Sequence, residues 1–189
     1  MIQSSTAVMT ERIARASPRL KARIAGVLYL TSFLVGIFGE FVVRGRLGFA
    51  VGLIAVSCMV AMTLLFYDIF KPVNRVLSLL AAFFNLVGLT SEALRWNPQG
   101  VDIAMVFHGL YCFLIGYLTF RSAFLPRILG VLMGLAGLGW LTFLSPPLAN
   151  YLSPYNIATG LLGEGSVMLW LLVMGVNVQR WREQASAAG

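Results

Sequence analysis

The feature that most constrains this chain is a series of apolar blocks, each about as long as a bilayer is thick. Six blocks follow one another, at residues 24–43, 47–70, 76–94, 101–120, 128–144 and 157–178. A helix needs roughly 17–25 residues to cross the hydrocarbon core. Lipid offers no partner to backbone N–H and C=O groups, so a spanning segment is a helix or part of a closed barrel. No block alternates polar and apolar residues with period two, and the sequence therefore predicts six transmembrane helices.

The composition leaves no room for a separate soluble domain. Hydrophobic residues make up 59% of the 189 residues and charged residues 11%, whereas about 25% charged is typical of soluble domains. The first four connections between blocks have only three to seven residues, so consecutive helices pack antiparallel as three hairpins. We therefore predict an all-α integral membrane protein, a six-transmembrane-helix bundle over residues 24–179, with an N-terminal arm (1–23) and a tail (180–189).

The positive charges predict the orientation of the bundle. Eleven Lys and Arg residues lie in the N-terminal arm, the second and fourth connections and the tail, against three in the first and third connections. Basic residues concentrate on the cytoplasmic side of membrane proteins, so both termini are predicted to be cytoplasmic. The net charge of +7 thus reflects orientation and does not indicate a nucleic-acid partner. The basic arm either rests on anionic lipids of the bilayer or is a disordered orientation signal.

Ionisable residues inside the spans are few, because each costs about 2.5–3.5 kcal/mol at a helix centre. Three segments with small residues end in glutamate: GIFGE at Glu40, GLTSE at Glu92 and GLLGE at Glu164. Arg44 follows the first at i+4 and Arg95 follows the second at i+3, so local pairs at the outer surface account for both. Asp102 stands in the first turn of the fourth span, where free N–H groups favour a carboxylate.

Glu164 and His108 lack such local explanations. Each lies about seven residues inside the outer end of its span, roughly 10 Å deep, and has no opposite charge within four positions. Their matching depths predict an interhelical pair, with the uncharged Asn85 as a further polar residue. The pair is either a hydrogen bond that fixes helix register or a proton-carrying or headgroup-binding pair in an outward-facing pocket. The outer connection, residues 145–156, would then be a lid over the bundle or a gate over that pocket.

A metal centre and standard catalytic motifs receive little support. His108, Glu164 and either Glu40 or Glu92 could supply three metal ligands, and Cys112 lies one turn from His108, but the chain has one histidine and no HExxH motif. The two cysteines show no CxxC spacing, and no GxSxG or phosphate-binding glycine pattern occurs in a suitable context. The sequence favours no metal or cofactor, and a bound lipid or metal ion is kept as an alternative.

Four stretches together resemble a family of bacterial multi-pass membrane proteins, domain-of-unknown-function family 4386. The most distinctive is the FLPRILG block within residues 107–141, and the others are RIAGVLYLTSFLVGIFGEFVVRG (23–45), KPVNRVLSLLAAFFNLV (71–87) and GEGSVMLWLLVMGVN (163–177). The resemblance implies a six-helix protein of the cytoplasmic (inner) membrane of a bacterium. It implies no reaction and no role for any residue.

Three functional hypotheses follow from the sequence. The first is a binding or transport-type bundle whose outward-facing pocket, lined by Glu40, Glu92, His108 and Glu164, takes a proton-coupled solute or a lipid headgroup. The second is a membrane-embedded enzyme acting on a lipid or quinone, with His108 and Glu164 as acid and base. The third is an accessory subunit whose polar residues only fix its packing.

Overall fold

The computed structural model describes residues 17–41 and 45–187, apart from the side chains at positions 37, 39–41, 45, 46 and 49. Most of the basic arm, the side chain of Glu40, Arg44 and residues 188–189 therefore lie outside the description. The described chain contains eight α-helices and two short 3-10 turns, and no strand. The helices are α1 (Pro18–Phe41), α2 (Gly45–Phe70), α3 (Arg75–Ala93), α4 (Ile103–Arg121), α5 (Arg127–Leu141), α6 (Pro146–Leu152), α7 (Tyr155–Val173) and α8 (Val178–Ala187).

Five of the described helices are long and apolar enough to cross a membrane, and they coincide with the second to sixth predicted spans. These segments are Ala50–Phe70, Arg75–Ala93, Ile103–Arg121, Arg127–Leu144 and Tyr155–Val173. The last one ends five residues before the predicted bound of 178. Gly175 adopts a left-handed φ of 68°, which glycine tolerates without steric cost, and the chain turns there into α8.

The six long helices form a closed ring in chain order. Each of α1 to α5 packs against the next, α5 packs against α7, and α7 returns to α1. Glycines allow the close approach of α4 and α5: a Cβ on Gly130 would lie 2.5 Å from the Phe120 backbone nitrogen. Gly137 meets the backbone of α4 in the same way beside Gly109 and Phe113. Small residues thus let the backbones of α4 and α5 come into direct contact.

The end of the bundle where α1 begins is held by ionic and polar contacts. Asp68 near the end of α2 pairs with Lys21 of α1 and with Lys71. The indole N–H of Trp181 in α8 donates to the Ile69 carbonyl at 2.9 Å. Most of the predicted tail is thus a helix that contacts the bundle.

The connection at the opposite end contains the short helix α6. Asn156 is buried behind it and donates to the Ala149 carbonyl at 3.1 Å, which ties α6 to the start of α7. Tyr151 is 83% exposed and Tyr155 is 74% exposed. The tyrosines of residues 145–156 therefore face outward, as tyrosines do at a membrane interface.

Candidate functional site

Glu164 occupies the middle of α7 and is buried among the other long helices. The helix start at Tyr155 lies nine residues before it, about 14 Å along the axis. Gly160 and Gly163 precede it on the face turned toward α5, where a Cβ would collide with Trp140 and with the Leu132 carbonyl respectively. The two glycines thus let α5 approach closely enough for Trp140 to reach the Glu164 carboxylate.

Three side chains from other helices converge on the Glu164 carboxylate. The Tyr29 hydroxyl of α1 donates to Oε2, and the Trp140 indole N–H of α5 donates to Oε1. The His108 Nε2 atom of α4 lies 3.2 Å from Oε2. The predicted pair between His108 and Glu164 is confirmed, and its side chains are 16% and 10% exposed. A carboxylate removed this far from water is stabilised by several donors at once.

A chain of hydrogen bonds continues from the other side of His108. Its Nδ1 atom lies 3.2 Å from Oδ1 of Asn85 on α3. The Asn85 amide nitrogen donates to the Thr63 hydroxyl of α2 at 2.6 Å, and that hydroxyl donates to the Met59 carbonyl at 2.7 Å. Asn85 and Thr63 are both buried, with exposed fractions of 1% and 0%.

The direction of this chain follows from its last member. The Met59 carbonyl can only accept, so the Thr63 hydroxyl donates to it and accepts from the Asn85 NH₂ group. The Asn85 carbonyl oxygen then faces His108, so Nδ1 carries the hydrogen of that contact. The other ring nitrogen, Nε2, faces Oε2 of Glu164. Without a proton between these two atoms, a lone pair on Nε2 would face a lone pair on Oε2. His108 and Glu164 therefore share a proton, either as imidazolium and carboxylate or as imidazole and carboxylic acid.

The network takes one residue from every long helix of the ring. We call this set, defined by its six hydrogen-bonded side chains, the central network. Its members are Tyr29, Thr63, Asn85, His108, Trp140 and Glu164. A change in the charge or shape of any member therefore alters hydrogen bonds that join several helices.

The other predicted residues lie elsewhere or at a helix end. Glu92 is exposed in the last turn of α3, seven residues from Asn85 and so about 10 Å along the helix. Its carbonyl accepts from the backbone N–H of Arg95 at 2.9 Å. Asp102 is the N-cap of α4 and accepts from the Met105 N–H at 3.1 Å. The Glu40 side chain lies outside the description, so its place relative to the network stays a prediction.

Cys112 lies beside the His108–Glu164 pair. It is one turn after His108 on α4 and fully buried. Its sulfur, a His108 ring nitrogen and a Glu164 carboxylate oxygen all lie within 4.8 Å of one another. Cys58, by contrast, lines an apolar groove of about 320 Å³ between α1 and α2, beside Leu28 and Leu53.

Sequence reasoning missed three members of the network. Tyr29 and Trp140 sit in apolar spans, where such rings usually anchor a helix at the interface or fill the core. Thr63 bonds its own helix backbone, as threonines in membrane helices commonly do. A helical wheel would not have identified them, because their partners lie on helices distant in sequence.

Sequence similarity links this chain to a family of domains and to an archaeal protein. The model of a domain of unknown function, DUF4386, matches residues 44–95 and 89–175. An uncharacterized protein of the archaeon Archaeoglobus fulgidus is 27% identical over 120 residues, which cover 58% of this chain and 72% of that protein. No solved structure matches the chain.

Proposed function

Since this chain belongs to the DUF4386 family of multi-span membrane proteins, to which no function is assigned, we propose a function from the central network. The protein is a binding or transport-type bundle whose His108–Glu164 site binds a small solute in exchange for a proton. The bundle has six spans, α1 being the first, and lies in the cytoplasmic membrane of a bacterium with both termini inside. In this orientation α4 and α7 both begin at the outer surface.

The observation that carries the proposal is the buried His108–Glu164 pair at the centre of the ring, whose Nε2 and Oε2 atoms lie 3.2 Å apart. A group of this kind inside the membrane is expensive and is a functional candidate by default. His108 lies five residues into α4 and Glu164 nine residues into α7, which corresponds to depths of about 8 Å and about 14 Å. Both depths fall in the outer half of a hydrocarbon core about 30 Å thick.

The arrangement also supports coupling between the proton and the helices. A solute that takes the place of the proton between Nε2 and Oε2 breaks the contact that joins α4 to α7. The contacts of Glu164 to Tyr29 and Trp140 then change as well, and these belong to α1 and α5. A local exchange of proton and solute can thus bias how four helices pack, which is the requirement for coupled binding.

The single histidine makes the shared proton directly measurable. His108 is the one histidine of the chain, so protein labelled with ¹⁵N-histidine gives only the two ring signals of this site in a lipid nanodisc. We expect hydrogen on Nδ1 and a proton shared through Nε2 in the unaltered protein. Glu164→Gln should leave Nδ1 protonated and Nε2 without a proton, because an amide NH₂ can donate to it.

Two results would count against the proposal. One is a spectrum of the unaltered protein in which Nδ1 carries no hydrogen, because the shared proton was inferred from an N–H at Nδ1 facing Asn85 Oδ1. The other comes from a flux assay in proteoliposomes that contain a pH-sensitive dye. We expect a gradient of at least one of Zn²⁺, Na⁺, ammonium and phosphoethanolamine to change the internal pH. That change should be absent with Glu164→Gln and unaltered with Glu92→Gln, and silence of the whole panel would favour a purely structural role.

A further inference from the structure

Three side chains at the centre of the bundle offer a ligand set for a metal ion. They are His108, Cys112 and Glu164, whose potential ligand atoms lie within 4.8 Å of one another. We infer that they form a binding site for a divalent transition-metal ion of the zinc type. This inference rests on the proposed function and names the class of its solute.

The geometry of the pair is already close to that of two metal ligands. Nitrogen and oxygen ligands bind zinc at roughly 2.0–2.2 Å, and at a tetrahedral angle they stand about 3.4 Å apart. The distance between His108 Nε2 and Glu164 Oε2 is 3.2 Å. A sulfur ligand would stand about 3.6 Å from the nitrogen, and the Cys112 sulfur lies within 4.8 Å of a His108 ring nitrogen and of a Glu164 oxygen. Cys112 is one turn after His108 on the same face of α4, so its sulfur lies beside the pair.

The groups around these ligands are those that orient metal ligands in proteins. A ligating histidine usually donates its second ring N–H to an oxygen acceptor, and His108 Nδ1 already faces Asn85 Oδ1 at 3.2 Å. Trp140 donates to Oε1 of Glu164 and Tyr29 donates to Oε2, and these contacts hold the carboxylate with Oε2 turned toward His108 Nε2. The carboxylate is thus fixed in the orientation that binding requires before any ion arrives.

Charge balance favours a divalent ion in this apolar setting. A thiolate, a carboxylate and a neutral imidazole carry two negative charges together, and a divalent cation cancels them. Binding displaces the thiol proton and the proton shared by His108 and Glu164, so two positive charges enter and two leave. The donor set of sulfur, nitrogen and oxygen suits Zn²⁺ or Co²⁺, and not Mg²⁺ or Ca²⁺, which prefer oxygen alone. Three protein ligands leave one coordination position for water.

The test uses Co²⁺ as an optical substitute for Zn²⁺. The purified chain in detergent is stripped with a chelator and titrated with Co²⁺, while the near-ultraviolet charge-transfer band of a cobalt-bound thiolate is recorded. We expect one Co²⁺ per chain, the thiolate band, and displacement by Zn²⁺ but not by Mg²⁺. Asn85→Ala should weaken binding about 10- to 100-fold, the usual effect of removing such a partner.

The two cysteines provide a matched control. Cys58→Ser leaves Cys112 as the one cysteine, so a thiolate band in that variant must come from Cys112. This assignment holds even if Cys112→Ser does not fold. Cys112→Ser should lose the band. Absence of the band in the unaltered protein and in Cys58→Ser, or its survival in Cys112→Ser, overturns the metal site. If the band is absent while His108 keeps its shared proton, the proposed function stands without the metal. If the shared proton is absent and the band is present, the metal site stands and proton coupling falls.

Discussion

Replacing Glu164 with alanine removes the acceptor on which Tyr29, Trp140 and His108 converge. Side-chain hydrogen bonds within membrane bundles contribute about 0.6 kcal/mol each on average and up to about 1.7 kcal/mol. Because the substitution removes three such hydrogen bonds, we expect Glu164→Ala to lower the free energy of unfolding by about 2–5 kcal/mol. The decrease should lie toward the upper end, because Tyr29 and its neighbours are too buried for water to replace the missing acceptor.

Glutamine separates this structural role from the proton. Its amide oxygen can take the place of Oε1 and accept from Trp140, while its NH₂ group donates to the Tyr29 hydroxyl and to His108 Nε2. All three neighbouring groups then keep a hydrogen-bond partner, so Glu164→Gln should cost only about 1 kcal/mol. The shared proton is nevertheless removed, and with it the solute coupling.

The assay is equilibrium unfolding in mixed micelles, in which increasing dodecyl sulfate is added to protein in dodecyl maltoside and helicity is followed. Glu92→Ala is the matched control, since Glu92 is exposed at the end of α3 and should change stability by less than about 1 kcal/mol. The reasoning is refuted if Glu164→Ala unfolds like the unaltered chain, or if Glu164→Gln is as destabilised as Glu164→Ala.

Two further predictions concern the packing and the orientation of the bundle. Gly160→Ala should destabilise the protein by about 1–3 kcal/mol in the same unfolding assay, because the added methyl group collides with the Trp140 indole. Gly165→Ala, where a Cβ meets nothing within 4 Å, should instead be neutral or gain up to about 1 kcal/mol from helix propensity; equal effects at the two sites would contradict this packing. For the orientation, Ser153→Cys should react with a membrane-impermeant maleimide added to intact cells, and Ser186→Cys only after permeabilisation. The opposite labelling pattern would reverse the bundle and place the His108–Glu164 site nearer the cytoplasm.

Half of the central network could not be predicted from the sequence, and its residues show why. His108 and Glu164 stood out because ionisable groups are rare in apolar spans and neither had a partner on its own helix. Tyr29 and Trp140 carry large apolar rings, so lipid-facing, core and hydrogen-bonding positions look alike in the sequence. Glu92 shares its small-residue motif with Glu164, yet the structure puts it at an exposed helix end.

The sequence by itself determined the helical architecture, because a bilayer sets the length of a spanning helix and offers its backbone N–H and C=O groups no other hydrogen-bond partners. It also determined that His108 and Glu164 needed partners from other helices. Only the tertiary structure decided which partners those are, since the closing of α7 onto α1 and α5 brings together residues up to 135 positions apart. The absence of side chains at Gly160 and Gly163 allows α5 to pack closely against α7. A glycine pattern in the sequence indicates that some helix can pack there, but it does not identify that helix.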